Sequence, residues 1–145
     1  MSTAPTTAKP APKRPVPVPN TYVKAQPYWD GIKEKKLLLQ YCTETKQYQH
    51  YPRAVSNYTG KANLEWRESS QKGAIYAMTL TRVPQPGFEE RAPYPIVTVD
   101  LDEKVRMIGL LLNCKPEEAK IGDRVKVCWE VIGEGQNYPA FELDR

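Results

Sequence analysis

At 145 residues, the chain has the length of one ordinary domain. That is enough to bury a core without a disulfide or metal staple. Its formal net charge of +4 comes from one end: Lys9, Lys13, Arg14 and Lys24 precede the first acid, Asp30, and from residue 25 onward 17 basic residues face 17 acidic ones. The body is therefore neutral, which argues against a nucleic-acid domain that needs a basic face to release counterions. Cys42, Cys114 and Cys128 are too few and too scattered for a disulfide framework. No signal peptide is expected from the Pro-rich start, and no apolar run nears the roughly 20 residues of a membrane span. The expectation is a reduced, soluble, cytoplasmic protein.

Residues 1–22 hold six prolines among small and basic residues. Such a segment cannot build a core and is expected to be a disordered tail. A short helix is predicted over Ala25–Lys36. Pro27 suits its first turn, Tyr28, Trp29 and Ile32 share a face, and a basic last turn suits the macrodipole. So short a helix must dock its aromatics, either on its own domain or on another subunit.

Leu37–Tyr41 reads as a strand. The following segment to about Asn63 spaces Cys42 and Thr45, then ten residues, then Ser56 and Thr59. That is the layout of a CxxC–CxxC ribbon with cysteine at only the first position. Strands are then predicted at Leu64–Glu68, Gly73–Val83, Tyr94–Leu101, Val105–Leu112, Arg124–Ile132 and Tyr138–Leu143. In the second, Ile75, Ala77 and Thr79 fall on one face and Tyr76, Met78 and Leu80 on the other. In Arg124–Ile132, Val125, Val127, Trp129 and Val131 point inward. Lys115–Lys120 reads as one helical turn. Strands of this number and length, with no substantial helix between them, suggest a small OB-like barrel whose closure removes exposed edges. The expected organisation is 1–22 tail, 23–63 helix and ribbon, 64–145 barrel.

The order of aromatic helix, strand, ribbon and barrel is carried by PYWDGIKEKKLLLQYC, YQHYPR, LEW, KGAIYAMTLTRVPQPGF, PYPIVTVDLDE and IGDRVKV. Together these segments resemble the acyl-CoA-associated OB-fold family with an N-terminal rubredoxin-like zinc ribbon, a domain of unknown function. The resemblance covers about residues 25–143. It implies a mostly β fold and a non-catalytic accessory subunit of a thiolase-like enzyme, a thiolase or an aldolase, that helps to bind or enclose an acyl-CoA substrate. It also implies that the family's four ribbon cysteines fall on Cys42, Thr45, Ser56 and Thr59. Zinc needs four thiolate or imidazole-type ligands, so no bound metal and no other cofactor is expected. His50 lies outside the knuckle positions.

No catalytic constellation stands out. Cys42 with His50 lacks an orienting third group. Glu89 and Glu90 read as a solvated loop tip. No Gly-rich phosphate loop is present. The 83–94 loop is longer than a plain hairpin needs and is the candidate ligand-proximal segment. Its site residues are Phe88, Arg91 and Tyr94: Phe88 is expected to wedge into a partner or cover an acyl chain, or else to cap the barrel mouth, and Arg91 to meet a phosphate of coenzyme A. The candidate partner interface is Tyr28, Trp29, Tyr48 and Arg53, since Tyr, Trp and Arg are favoured at interface centres. Tyr41, Tyr48, Tyr51, Tyr58 and Trp66 can otherwise hold the ribbon by burial. Two other readings stay open: a stand-alone acyl-CoA-binding protein, and a single-stranded nucleic-acid-binding barrel. Acids outnumber bases from residue 64 onward, which speaks against the second.

Overall fold

The computed structural model describes residues 24–132 and 135–145; the expected tail, residues 1–22, lies outside them. The element order is α1 (Gln26–Lys33), β1 (Leu38–Cys42), β2 (Gln47–Gln49), β3 (Leu64–Glu68), β4 (Lys72–Thr81), β5 (Tyr94–Leu101), β6 (Arg106–Leu110), β7 (Arg124–Ile132) and β8 (Gln136–Leu143). Single 3-10 turns occupy Glu89–Arg91 and Pro116–Glu118.

Two sheets result. β2-β1-β3 form a small antiparallel ribbon, and β6-β5-β4-β7-β8 form a five-stranded sheet. The larger sheet curls until its edges meet. Leu111 bridges Phe141 in parallel, and the Leu112 N–H donates to the Phe141 carbonyl at 2.8 Å. This is the nearly closed OB-like barrel expected from the strand pattern. β3 pairs with β1 along its whole length, so Leu64–Glu68 belongs to the ribbon sheet and the barrel begins at β4.

The barrel is filled rather than hollow. Ile75, Val97, Val99, Val125, Val127 and Phe141 point inward and are buried. β5 alternates without a break: Pro95, Val97, Val99 and Leu101 are buried and the residues between them are not. Ribbon and barrel share one core, because Tyr28, Ile32, Leu37 and Leu39 join the same apolar cluster. The helix docks on its own chain. Asn137 Nδ2 of β8 donates to the Ile32 and Lys33 carbonyls, both at 3.3 Å, satisfying carbonyls that a helix end leaves open.

Two expectations need correction, and one strand had no expectation. The period-2 reading of β4 fails at a β-bulge. Ile75 pairs with Val99 but Ala77 pairs with Thr98, and Tyr76 is the extra residue. A bulge shifts every later side chain to the other face. Met78 and not Ala77 therefore packs against the core with Ile75, while Tyr76 is half exposed. In β7, Val131 is 60% exposed, because the strand runs on past the filled part of the barrel. The strand β2, inside the ribbon, went unread. Its three residues, Gln47-Tyr48-Gln49, carry too little apolar pattern to register.

Among the described residues, no helix is long and apolar enough to cross a membrane. At Gly73, β4 lies close against the backbone of β5. A Cβ there would run into the Asp100 carbonyl oxygen and lie 2.9 Å from Leu101 Cα. Both are backbone, which cannot step aside. Gly73→Ala is predicted to destabilise the fold by about 1–3 kcal/mol, read from the urea midpoint. An unchanged midpoint would mean the two strands are not this close.

Candidate functional site

The 83–94 loop leaves β4 and re-enters at β5, so both its ends are fixed by the barrel. Its residues meet one another. The Phe88 and Tyr94 ring centroids lie 6.2 Å apart at 45°, and the Arg91 guanidinium sits 5.5 Å above the Phe88 ring. Arg91 also pairs with Glu130 of β7. This pins the loop to the barrel wall and already counters the Arg91 charge. Beside the pin is a cavity of about 310 Å³ lined by Arg91, Tyr94, Pro95, Leu110, Leu112 and Cys114. Phe88 stands outside that lining.

Of the four interface candidates, Tyr28 is only 6% exposed and belongs to the chain's own core. It meets Trp29 edge to face at 5.1 Å, and its burial raises its hydroxyl pKa well above the usual range. Trp29 and Tyr48 are half-buried and pack partly on the core. Tyr48 meets Tyr41 edge to face at 5.0 Å. Arg53 is exposed and its backbone is clamped by Gln40, whose side chain accepts from Arg53 N at 2.8 Å and donates to Arg53 O at 2.7 Å. Tyr51 and Tyr58, candidates to hold the ribbon by burial, are instead 53% and 47% exposed, and Tyr76 and Ile108 of the barrel are 50% and 58% exposed. The Ile108 N–H donates to the Tyr51 hydroxyl at 3.5 Å. Alternation alone puts Tyr76 on the face opposite Ile75; which of the two faces is outside needed the burial of Ile75.

The four ribbon positions lie in two matching turns. Lys46 N donates to Cys42 O at 2.8 Å, and Gly60 N donates to Ser56 O at 2.9 Å. Each turn closes on a residue with positive φ, 57° at Lys46 and 70° at Gly60. Cys42 and Ser56 are buried. Burial pushes the Cys42 thiol up. Hydrogen bonds from the Ser56 and Thr45 hydroxyls and from the Thr45 and Glu44 backbone outweigh it and bring the pKa to about 7. Asn63 ties in the remaining position: its Oδ1 accepts from Thr59 Oγ1 at 3.0 Å and from Cys42 Sγ at 3.9 Å. One thiol and three neutral hydroxyls do not fit a structural zinc. Among the described residues, no group of three or more His, Cys, Asp or Glu has metal-holding geometry.

The other thiols are poor nucleophiles. Cys114 is pushed up by burial and by Glu118. Cys128 is pushed up to about 11 by burial, then by Glu142 and Glu130. His50 is held neutral: burial lowers its pKa to about 4, and its Nε2 is buried without a partner. Its ring packs on Tyr51 at 4.0 Å and Tyr28 at 5.6 Å. It also lines a cavity of about 590 Å³ between the ribbon and the β5–β6 edge of the barrel.

The model for the C-terminal OB-fold domain of ChsH2 matches residues 66–130. A DUF35 domain-containing scaffold protein of Pyrococcus furiosus is 32% identical over 107 residues, covering 74% of this chain and 79% of that protein. The chain belongs to the DUF35 family. A probable enoyl-CoA hydratase alpha subunit of Thermomonospora curvata is 28% identical over 94% of this chain, but the match spans only 42% of that longer protein. Among solved structures, the Ltp2-ChsH2(DUF35) aldolase superposes with a TM-score of 0.77 at 24% identity, covering 88% of this chain and 98% of that one. That likeness speaks for the fold.

Two predictions follow from the buried groups of this DUF35 chain. His50 is its only histidine. Its folded pKa lies below the unfolded value, so its contribution is complete above about pH 6.5 and is lost as pH falls toward 4. His50→Phe should therefore flatten the fall in thermal midpoint over that window relative to wild type; parallel curves would contradict the burial. Thr45→Cys, Ser56→Cys and Thr59→Cys together should create a site for one zinc ion, read by metal analysis and by a raised melting temperature. Failure to take up zinc would mean the two turns do not face one centre.

Proposed function

We propose that this DUF35 chain is a non-catalytic accessory subunit of a thiolase-like enzyme, a thiolase or an aldolase, that helps to enclose an acyl-CoA substrate in the cytoplasm. The observation that carries this reading is the filled barrel. Its interior holds side chains and leaves no room for a substrate, so the chain must act through its outer surface and loops. The scaffold name of the Pyrococcus relative and the hydratase-subunit name of the Thermomonospora relative support it. So does the state of the nucleophiles: two of the three thiols are held protonated, and Cys42 is buried.

In this reading Trp29, Tyr48 and Arg53 meet the catalytic subunit. The loop carrying Phe88, Arg91 and Tyr94 borders the thioester, with the apolar lining beside Tyr94 turned to the acyl group. Arg91 acts by holding the loop to Glu130 and not by presenting a free charge. Native mass spectrometry of the chain purified from its source is predicted to give a complex with a thiolase-like subunit; a free monomer would contradict the reading. In that complex Phe88→Ala with Arg91→Ala should lower kcat/KM for the thioester about tenfold, the loss expected from roughly 1.4 kcal/mol of positioning. The subunit should stay folded, because neither Phe88 nor Arg91 belongs to the apolar core; far-ultraviolet circular dichroism of the double variant checks this. Wild-type kinetics in the double variant would sink the loop assignment.

A further inference from the structure

The outer face of β4, β5 and β6 carries an apolar row that neither the core nor the sites above account for. Tyr76 stands out of β4 at the bulge, and Ile108 stands out of β6 opposite Thr98 of β5. Both are about half exposed. The ribbon extends the row with Tyr51, equally exposed, whose hydroxyl accepts from the Ile108 N–H at 3.5 Å. The Arg106 guanidinium lies 3.6 Å over the Tyr76 ring and donates to Asp100 at 2.7 Å. Single apolar side chains on a surface are ordinary, but a contiguous set marks a contact. Tyrosine with arginine is the pairing that contact centres favour.

The chain itself carries a segment that fits this stripe. The described residues begin at Lys24, and Pro15-Val16-Pro17-Val18-Pro19 precede it closely in sequence. An uncharged alternation of proline and valine favours the polyproline II form, which rises about 3.1 Å per residue, so five residues run about 15 Å. Strands lie about 4.8 Å apart, so Tyr76 and Ile108 are two spacings apart and Tyr51 lies one step beyond, a similar length. Segments of this form dock on aromatic-lined surfaces because they have little conformational freedom left to lose. The attachment point is close as well. Lys24 precedes α1, Tyr28 one turn into the helix packs on the His50 ring at 5.6 Å, and that ring packs on Tyr51 at 4.0 Å. The five residues from Pro19 to Lys24 span up to about 18 Å, enough to cover one helical turn and two ring contacts.

We propose that residues 15–19 dock on this stripe in the same molecule, packing their prolines and valines on the Tyr51 and Tyr76 rings and on Ile108. The chain then covers its own exposed face. This does not rest on the accessory-subunit reading, and none of the three stripe residues belongs to the interface or the loop assigned there. A second copy or a catalytic subunit offers apolar contact only at its concentration in solution. The tether holds the chain's own segment at an effective concentration on the order of millimolar.

The test is nuclear magnetic resonance of the full chain, seeking nuclear Overhauser contacts from the Val16 and Val18 methyls to the Tyr51 and Tyr76 rings. Such contacts are expected, at a strength independent of protein concentration. They should vanish when Pro15→Ser, Pro17→Ser and Pro19→Ser are combined, a change that leaves the folded body untouched. The contact to Tyr51 should also vanish in Tyr76→Ser with Ile108→Ser. A peptide of residues 10–20, followed by the Tyr76 ring resonances, should bind the triple serine variant at least about tenfold more tightly than the wild-type chain, whose own segment competes. Absence of the contacts, their survival in either variant, or equal or no binding of the peptide would each overturn the proposal. Contacts that grow with protein concentration would give the stripe to a second copy. A free chain without contacts, with Tyr76 shielded from iodination only in the complex purified from its source, would give it to a partner subunit. Both of these results overturn the proposal too.

Discussion

The meeting of β6 and β8 at Leu111 and Phe141 is the constraint on which the rest depends. A five-stranded sheet of this curvature has two free edges unless they find each other. Here they do so through a short parallel contact, with the Phe141 ring filling the space beneath. Gly109 makes room for it: a Cβ there would come within 3.1 Å of that ring. Once the barrel is shut and packed, its inside is unavailable for ligands. Among the described residues, the surface left over is the outer wall of the barrel with the helix, the ribbon and the 83–94 loop.

Those attachments are held by the same core. Tyr28, Ile32, Leu37 and Leu39 continue the apolar cluster of the barrel, so helix and ribbon are fixed against it. The ribbon turns are held by polar contacts where the family resemblance leads one to expect metal ligands. Cys42, Ser56, Thr59 and Asn63 form a hydrogen-bonded centre, and each bond in such a centre is worth about 1 kcal/mol net. A structural zinc is worth about ten times that, so burial must carry more of the load. Leu39 and Cys42 on β1 are buried, and the Arg67 guanidinium lies 3.5 Å over the Tyr41 ring.

Much of the fold was legible in the sequence because its strands alternate. Leu64–Glu68, Tyr94–Leu101 and Arg124–Ile132 fall where the period-2 pattern puts them. Legibility ended where geometry broke the period. One extra residue at Tyr76 inverted the faces of half a strand. The site was less legible still. Phe88, Arg91 and Tyr94 do converge, but Glu130, some forty residues away, changes what Arg91 has to offer. Tyr28 resembled an interface aromatic and is a core residue, since amphipathic spacing does not say which neighbour covers a face. Lys46 and Lys104 lie 58 positions apart by their numbers, and only the packing of two hairpins brings them to the wall of one cavity.

The central claim is that this DUF35 chain acts by its surface on chemistry performed elsewhere. The most direct measurement is steady-state turnover of an acyl-CoA substrate by the chain alone, by its catalytic partner alone, and by the two together. The account predicts no turnover by the chain, and activity of the pair above that of the partner alone. Turnover by the isolated chain, or a partner indifferent to its presence, would contradict it.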